Sequence, residues 1–312
     1  MKKLITLFLL TIFHFQSCSG QNKEFVRFVV QPEAEVGKSI LFNIYFEQKP
    51  DSIIVASNYV DGLELTYNLD EILKRISSSN TTDENGEIIQ AYYSFESYAV
   101  PTKTGRIDLP VLTVIHEGKE YKSKPFHINV VDNITIDQND LKVSWTSDKA
   151  TYNKNDTIKV SLYEYSRFFE TKRKYLPPEN LPSLKGKENE IHVGFEETID
   201  NIVGIENFEE MIDKNFEVVH FDWNPFRTQK QTMEYIDNMQ YIKTMIAEFH
   251  LLAKSKGTFD IGISEFEFSL YKSNTDYFDN RFVPNDNGTY TVTDNGATKF
   301  KIKSNELKIN VK

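Results

Sequence analysis

The side chains in this sequence that could do chemistry are few and scattered. His220-Phe221-Asp222 puts two metal-ligating groups on one face of an extended segment, because successive residues of a strand point to opposite sides. A zinc-type site needs a third and usually a fourth ligand, and no spaced partner accompanies the pair, so it reads as a polar surface face beside Trp223. His116, His127, His192 and His250 stand singly at strand edges or turns. "NDNG" at Asn285–Gly288 and "TDNG" at Thr293–Gly296 hold oxygen donors, but they lack the terminal Glu and regular spacing of a calcium loop. They read as hairpin turns flanking "TYTV". Glu265 and Glu267 share one strand face without a facing acid, which leaves carboxylate-pair hydrolysis short of its second group. Neither a Gly-x-Ser-x-Gly elbow, a phosphate-binding glycine loop nor a zinc helix occurs. The sequence therefore predicts no catalytic residue, no metal site and no cofactor, and a protein that is not an enzyme.

What the chain does carry is a repeated scaffold pattern. "YAVPTKTGRIDLP", Tyr98–Pro110, is echoed by "HLLAKSKGTFDIG", His250–Gly262. Gly105 and Gly257 stand where a chain reversal wants a left-handed residue, each followed by an alternating run. Upstream, Asn85-Gly86 and Asp237-Asn238 occupy matching places and are two-residue hairpin signals. "PEAEVGKSILFNIYF" at Pro32–Phe46 likewise matches "DKATYNKNDTIKVSLYEY" at Asp148–Tyr165, with apolar residues alternating through Ile40, Phe42 and Ile44 or Ile158, Val160 and Leu162. No long helical period links parallel strands, so the expected fold class is all-β. Two tandem immunoglobulin-like β-sandwiches are expected, at 23–131 and 137–312, joined by a polar link at 132–136. An insertion of about 167–230 lengthens the second.

The amino terminus speaks to compartment. Lys2 and Lys3 precede the apolar run "LITLFLLTIFHF", too short to span a bilayer, and the small-residue stretch "SCSGQ" follows, which predicts a signal peptide over 1–20. Two schemes fit: cleavage after Gly20, or lipidation of Cys18 within the loose lipoprotein box "FQSC". Cys18 is the only cysteine, so the exported part carries no disulfide and depends on core packing. With 36 basic against 46 acidic residues the net charge of −10 repels phosphate backbones, and nucleic acid is an unsuitable partner. The expected location is the periplasm or cell envelope, with membrane contact only through a lipid on Cys18.

Asn85–Val131 resembles the first domain of the BatD family, the Bacteroides aerotolerance or oxygen tolerance proteins. The resemblance rests on the hairpin pair Asn85-Gly86, the Tyr-rich run Tyr92–Tyr98, "PTKTGRIDLP" at Pro101–Pro110, Gly118–Ser123 and the final Ile128–Val130. "YNKNDTIKVSLYEY" and "AKSKGTFDIGISEF" are similar to the next domain of that family. Family members usually carry a Gly-Pro pair where Tyr67-Asn68 stands and continue to a C-terminal transmembrane helix, so the chain reads as a short form. The resemblance implies an envelope protein of a Bacteroidetes-like bacterium, set among von Willebrand A-domain and tetratricopeptide partners and a MoxR-type ATPase.

The 23 Phe and 16 Tyr mostly suit two sandwich cores. Those in the insertion, Tyr175, Phe208, Phe216, Trp223 and Phe226, are flanked by charge and are the expected partner-binding anchors. The function so predicted is binding of another envelope protein, with a glycan- or peptide-binding module as the alternative.

Overall fold

The computed structural model describes residues 24–82, 88–169, 171–176, 190–191, 196–197, 202–203, 212, 214–223 and 231–312. The first unit contains β1 (Val26–Val30), β2 (Glu33–Glu35), β3 (Ile40–Phe46), β4 (Ser52–Ile54), β5 (Leu63–Leu65), the short helix α1 (Ile72–Arg75), β6 (Ser77–Thr82), β7 (Ile88–Pro101), β8 (Gly105–Leu109), β9 (Thr113–His116), β10 (Lys119–Lys122) and β11 (Phe126–Val131). The second contains β12 (Leu141–Ser147), β13 (Thr151–Tyr152), β14 (Ile158–Ser166), β15 (Thr171–Leu176), β16 (Glu190–Ile191), β17 (Glu196–Glu197), β18 (Ile202–Val203), β19 (Phe216–Trp223), β20 (Thr232–Ile236), β21 (Met239–Ala253), β22 (Gly257–Ile261) and β23 (Glu265–Leu270). It ends with α2 (Asn274–Arg281), β24 (Phe282–Pro284), β25 (Tyr290–Val292), β26 (Thr298–Lys303) and β27 (Leu307–Val311).

The two units share one topology. In the first, β1, β3 and β7 pair in that order, with β5 and β6 both on the far side of β7; β2-β11-β8 and β10-β9-β4 form the other layer. In the second, β12, β14 and β21 pair in order with β19 and β20 on the far side of β21, and β13-β27-β22-β16 and β15-β23-β26 form the other layer. Every first-unit strand thus has a second-unit counterpart, and the arrangement is that of an immunoglobulin-like sandwich. The fold is all-β, as the alternation predicts.

Alternation fills the two cores. In the first, Val26, Phe28 and Val30 with Ile40, Phe42 and Ile44 meet Ile107, Leu109, Ile128 and Val130 from the opposite layer. In the second, Val143 and Trp145 with Ile158, Val160 and Leu162 meet Phe259, Ile261, Ile309 and Val311. The Trp145 indole N–H donates to Ser264 Oγ at 3.2 Å, so a large buried ring keeps its polar atom paired.

The turns follow local chemistry. Asp237 (φ 53) and Asn238 (φ 65) both sit in the left-handed region and join Ile236 to Met239 in a two-residue hairpin. Gly105 (φ 107) opens β8 where the same region is required. Asn85-Gly86 lies outside the described residues, although the β6–β7 pairing brackets it.

The stretch expected as an insertion is partly sheet. β15 pairs with β23 along its whole length, and β19 pairs with β21, so both ends of 167–230 belong to the main layers. Among the described residues both are edge strands, and an edge strand rich in Lys and Arg, as "TKRKYL" is, looks like a loop in sequence. The polar link is also anchored: Ile134 is buried in the second core, and its N–H donates to Glu35 Oε1 at 2.7 Å.

Candidate interaction surface

The units meet through a built junction. Val29 and Tyr45 of the first pack against Ile242 of the second, with Phe169 and Met233 alongside. Around this apolar patch Arg27 Nε donates to the Gln231 carbonyl at 2.9 Å, and the Tyr45 hydroxyl donates to Gln231 Oε1 at 3.3 Å. Burial pushes the Tyr45 phenol well above its usual range, so it stays protonated and able to donate. Arg167 bridges the units with one fork arm on Glu33, at 2.6 Å, and the other on Asp140, at 3.4 Å. Burial raises the Asp140 carboxyl, and the Asp137 backbone N–H and the Arg167 charge act against that rise. Gln31 Nε2 donates to the Lys272 carbonyl at 2.7 Å, and Lys272 Nζ reaches Glu35 at 3.3 Å.

Beyond Lys272 the chain builds a projection with no counterpart in the first unit. Ser273 caps α2, its Oγ accepting from the Asp276 N–H at 3.0 Å. The start of α2 is clipped to the first unit. The Asn274 N–H donates to the Ser39 carbonyl at 2.9 Å, the Ser39 N–H donates to Thr275 Oγ1 at 3.0 Å, and Lys38 pairs with Asp276 at 2.9 Å. The end of α2 is held by Arg281, which is buried, touches the Tyr277 hydroxyl and lies 4.8 Å from that ring's centre.

From this mount β24 and β25 project as a two-stranded hairpin that pairs with no other strand among the described residues. Its turn is "NDNG", closed by Asn285 N–H to the Thr289 carbonyl at 2.8 Å and by Gly288 at φ 79. Phe282 stands opposite Val292 and Pro284 opposite Tyr290, so one face of the hairpin is wholly apolar. Phe278 of α2 stacks over Phe282 at 5.8 Å and extends that face. It is open to solvent: Tyr290 is 65% exposed, Phe278 48% and Val292 39%. The face is thus a contiguous apolar surface on a helix clipped to the first unit. The sequence reading found its turns but missed the face, because helix and strands are each too short to show a period.

The predicted anchors fall elsewhere. Phe216 is fully buried and packs on Phe259 at 4.7 Å between ring centres, so it is a core residue and cannot serve as an exposed anchor. Alternation along β19 turns it inward. Tyr175 lies on β15 opposite Phe266, and Trp223 on β19 opposite Ala247. Phe208, Phe226 and Cys18 lie outside the described residues.

His220 gains an unforeseen neighbour. The β19–β21 register sets it directly opposite His250, with ring centres 5.0 Å apart, and a bulge before His220 makes that register unreadable from sequence. His250 Nε2 contacts Glu248 Oε1 at 3.1 Å, while Glu248 Oε2 takes Lys159 at 2.7 Å and Ser161 at 3.2 Å. Burial opposes ionisation of Glu248, but Lys159, His250 and Ser161 prevail and hold its carboxyl below the usual range. Among the described residues no three His, Cys, Asp or Glu groups could hold a metal ion. Glu265 faces Lys303, and Glu267 stands opposite Lys301, which makes the two acids cross-strand charge partners.

Residues 31–130 match a family model described as the BatD DUF11-like domain. The first unit is thus similar to a BatD-type domain. The match spans nearly all of the first unit's strands, β2 to β11, and the second unit repeats their topology. No curated protein matches the chain. Among solved structures, one titled BspA_C_mut is 8% identical with a TM-score of 0.18, covering 91% of this chain and 98% of its own. The C-terminal domain of the Streptococcus pyogenes antigen I/II-family protein AspA is 8% identical with a TM-score of 0.21, covering 93% and 100%. Among the described residues no helix is long and apolar enough to cross a membrane.

Proposed function

We propose that this chain, whose first unit is similar to a BatD domain, is a non-enzymatic, exported envelope protein that works by binding another envelope protein, with 23–131 and 137–312 as tandem domains held at a set angle by their junction. The observation that carries this reading is the exposed apolar face of Phe278, Phe282, Tyr290 and Val292, mounted on a helix that is itself clipped to the first unit. Partners bearing von Willebrand A-domains or tetratricopeptide repeats are the favoured candidates, and a link to oxygen or stress tolerance follows from the same family relation. The net charge of −10 supports a protein partner over nucleic acid.

The test is crosslinking in the native envelope followed by mass spectrometry, on the natural chain and on a Phe278→Ser, Tyr290→Ser variant. Both positions are exposed, so the variant should fold and melt as the parent does. Loss of one specific crosslinked protein supports the reading. An unchanged crosslink pattern excludes this surface, and a parent that crosslinks to nothing while glycans raise its melting temperature favours the glycan-binding alternative.

A further inference from the structure

The internal repeat allows one unit to be read against the other, strand by strand, and a single sheet edge differs. β8 and β22 are counterparts, each opened by a positive-φ glycine and paired on one side with the last strand of its unit. The other side of β22 is covered. β16 lies against it in parallel, Glu190 opposite Asp260 and Ile191 opposite Ile261. Among the described residues the other side of β8 has no strand, and β8 ends its sheet in the order β2-β11-β8.

The difference traces to chain length. β16 is supplied by the segment between β15 and β19, which the first unit replaces with the short passage from β4 to β5. Nothing in that passage pairs with β8. Counting from the paired glycines, Asp108 and Leu109 are the counterparts of Asp260 and Ile261. Leu109 points into the core like Ile261, and Asp108 faces outward, where Arg106 neutralises it at 2.7 Å. The backbone here has the geometry that accepts a parallel strand in the second unit, and its charges are balanced, so an incoming segment meets no net repulsion.

We propose that the outer edge of β8 accepts an extended segment of a partner protein, added in parallel and paired at Asp108 and Leu109, with a β-branched residue in the place that Ile191 takes in the second unit. The recognition is strand addition: backbone hydrogen bonds supply the attraction and the alternate side chains the selectivity. This surface is separate from the α2 hairpin and stands or falls apart from it.

The probe is the nine-residue peptide KENEIHVGF, which reproduces Lys187–Phe195 of the chain. Amide hydrogen exchange of the full chain is followed by NMR with and without the peptide. The expected result is at least about tenfold slower exchange for amides of Gly105–Leu109, with no change in Gly257–Ile261, whose edge is already filled. A peptide N-methylated at both the Glu190 and Ile191 positions should lose the effect, because whichever of the two turns its N–H to the edge then lacks the backbone donor. Unchanged β8 exchange up to the solubility limit of the peptide, protection confined to β22, or equal binding of the N-methylated peptide would each overturn the proposal. The Phe278→Ser, Tyr290→Ser variant should show the same protection, which separates this result from the fate of the hairpin surface.

Discussion

Arg167 shows how one side chain can set a joint. Its guanidinium is shared between Glu33 and Asp140, both largely shielded from water, so replacing it leaves two carboxylates facing each other without a cation. Arg167→Met should lower stability by about 1–3 kcal/mol in urea titration, while Arg167→Lys, which keeps the charge but not the fork, should fall between. Glu248 makes a pH-dependent prediction. Its carboxyl is held below the usual range in the folded state, so its contribution is fully present above the unfolded value of about 4.3 and is lost as pH falls through the lower folded value. Glu248→Gln should therefore be less stable than the parent at pH 7, and the gap should close in melting curves taken toward pH 3. Neither network was legible in the sequence. Both depend on residues brought together by sheet register, which the linear order of the chain does not show.

At the level of elements, the repeat was legible because turns and alternation are local. Asp237-Asn238 shows this: two adjacent residues tolerant of positive φ predicted the hairpin that joins β20 to β21. Asn238→Gly should raise stability by a few tenths to about 1 kcal/mol, and Asn238→Val should lower it by about 1–2 kcal/mol, since a β-branched residue resists φ 65. Thermal unfolding checks both. The failures share a cause as well. β15 carries charges because it is an edge, and Phe216 looked exposed because charged residues surround it, while its alternation with the sheet was hidden by a bulge two residues on. The projection α2 to β25 escaped because a helix of one or two turns and strands of three residues leave too few positions for a period to emerge.

For the whole molecule, the question is whether two sandwiches move freely about a link or act as one body. The link gives little slack, with Ile134 buried and its N–H held by Glu35. The α2 clip adds a second connection, joined to the link through Lys272, which reaches Asn133 at 2.8 Å. Lys38→Glu combined with Thr275→Val should open that clip and leave both cores intact. Small-angle scattering should then report a larger radius of gyration and spin-label distances between the units should broaden, whereas unchanged distances would show that the Arg167 and Gln231 contacts suffice alone.

The clip also carries a consequence for timing. Lys38 meets Asp276 across 238 residues of chain, and Tyr45 meets Gln231 across 186, so both contacts wait for the second half to be made. The first unit draws its own core entirely from residues before 131, apart from the edge contact of Met233. Its face at Val29 and Tyr45 therefore stays bare from the completion of β11 until Ile242 arrives. Until then the half-folded chain shows a small oily patch that the finished protein hides, and a holding chaperone would find its footing there.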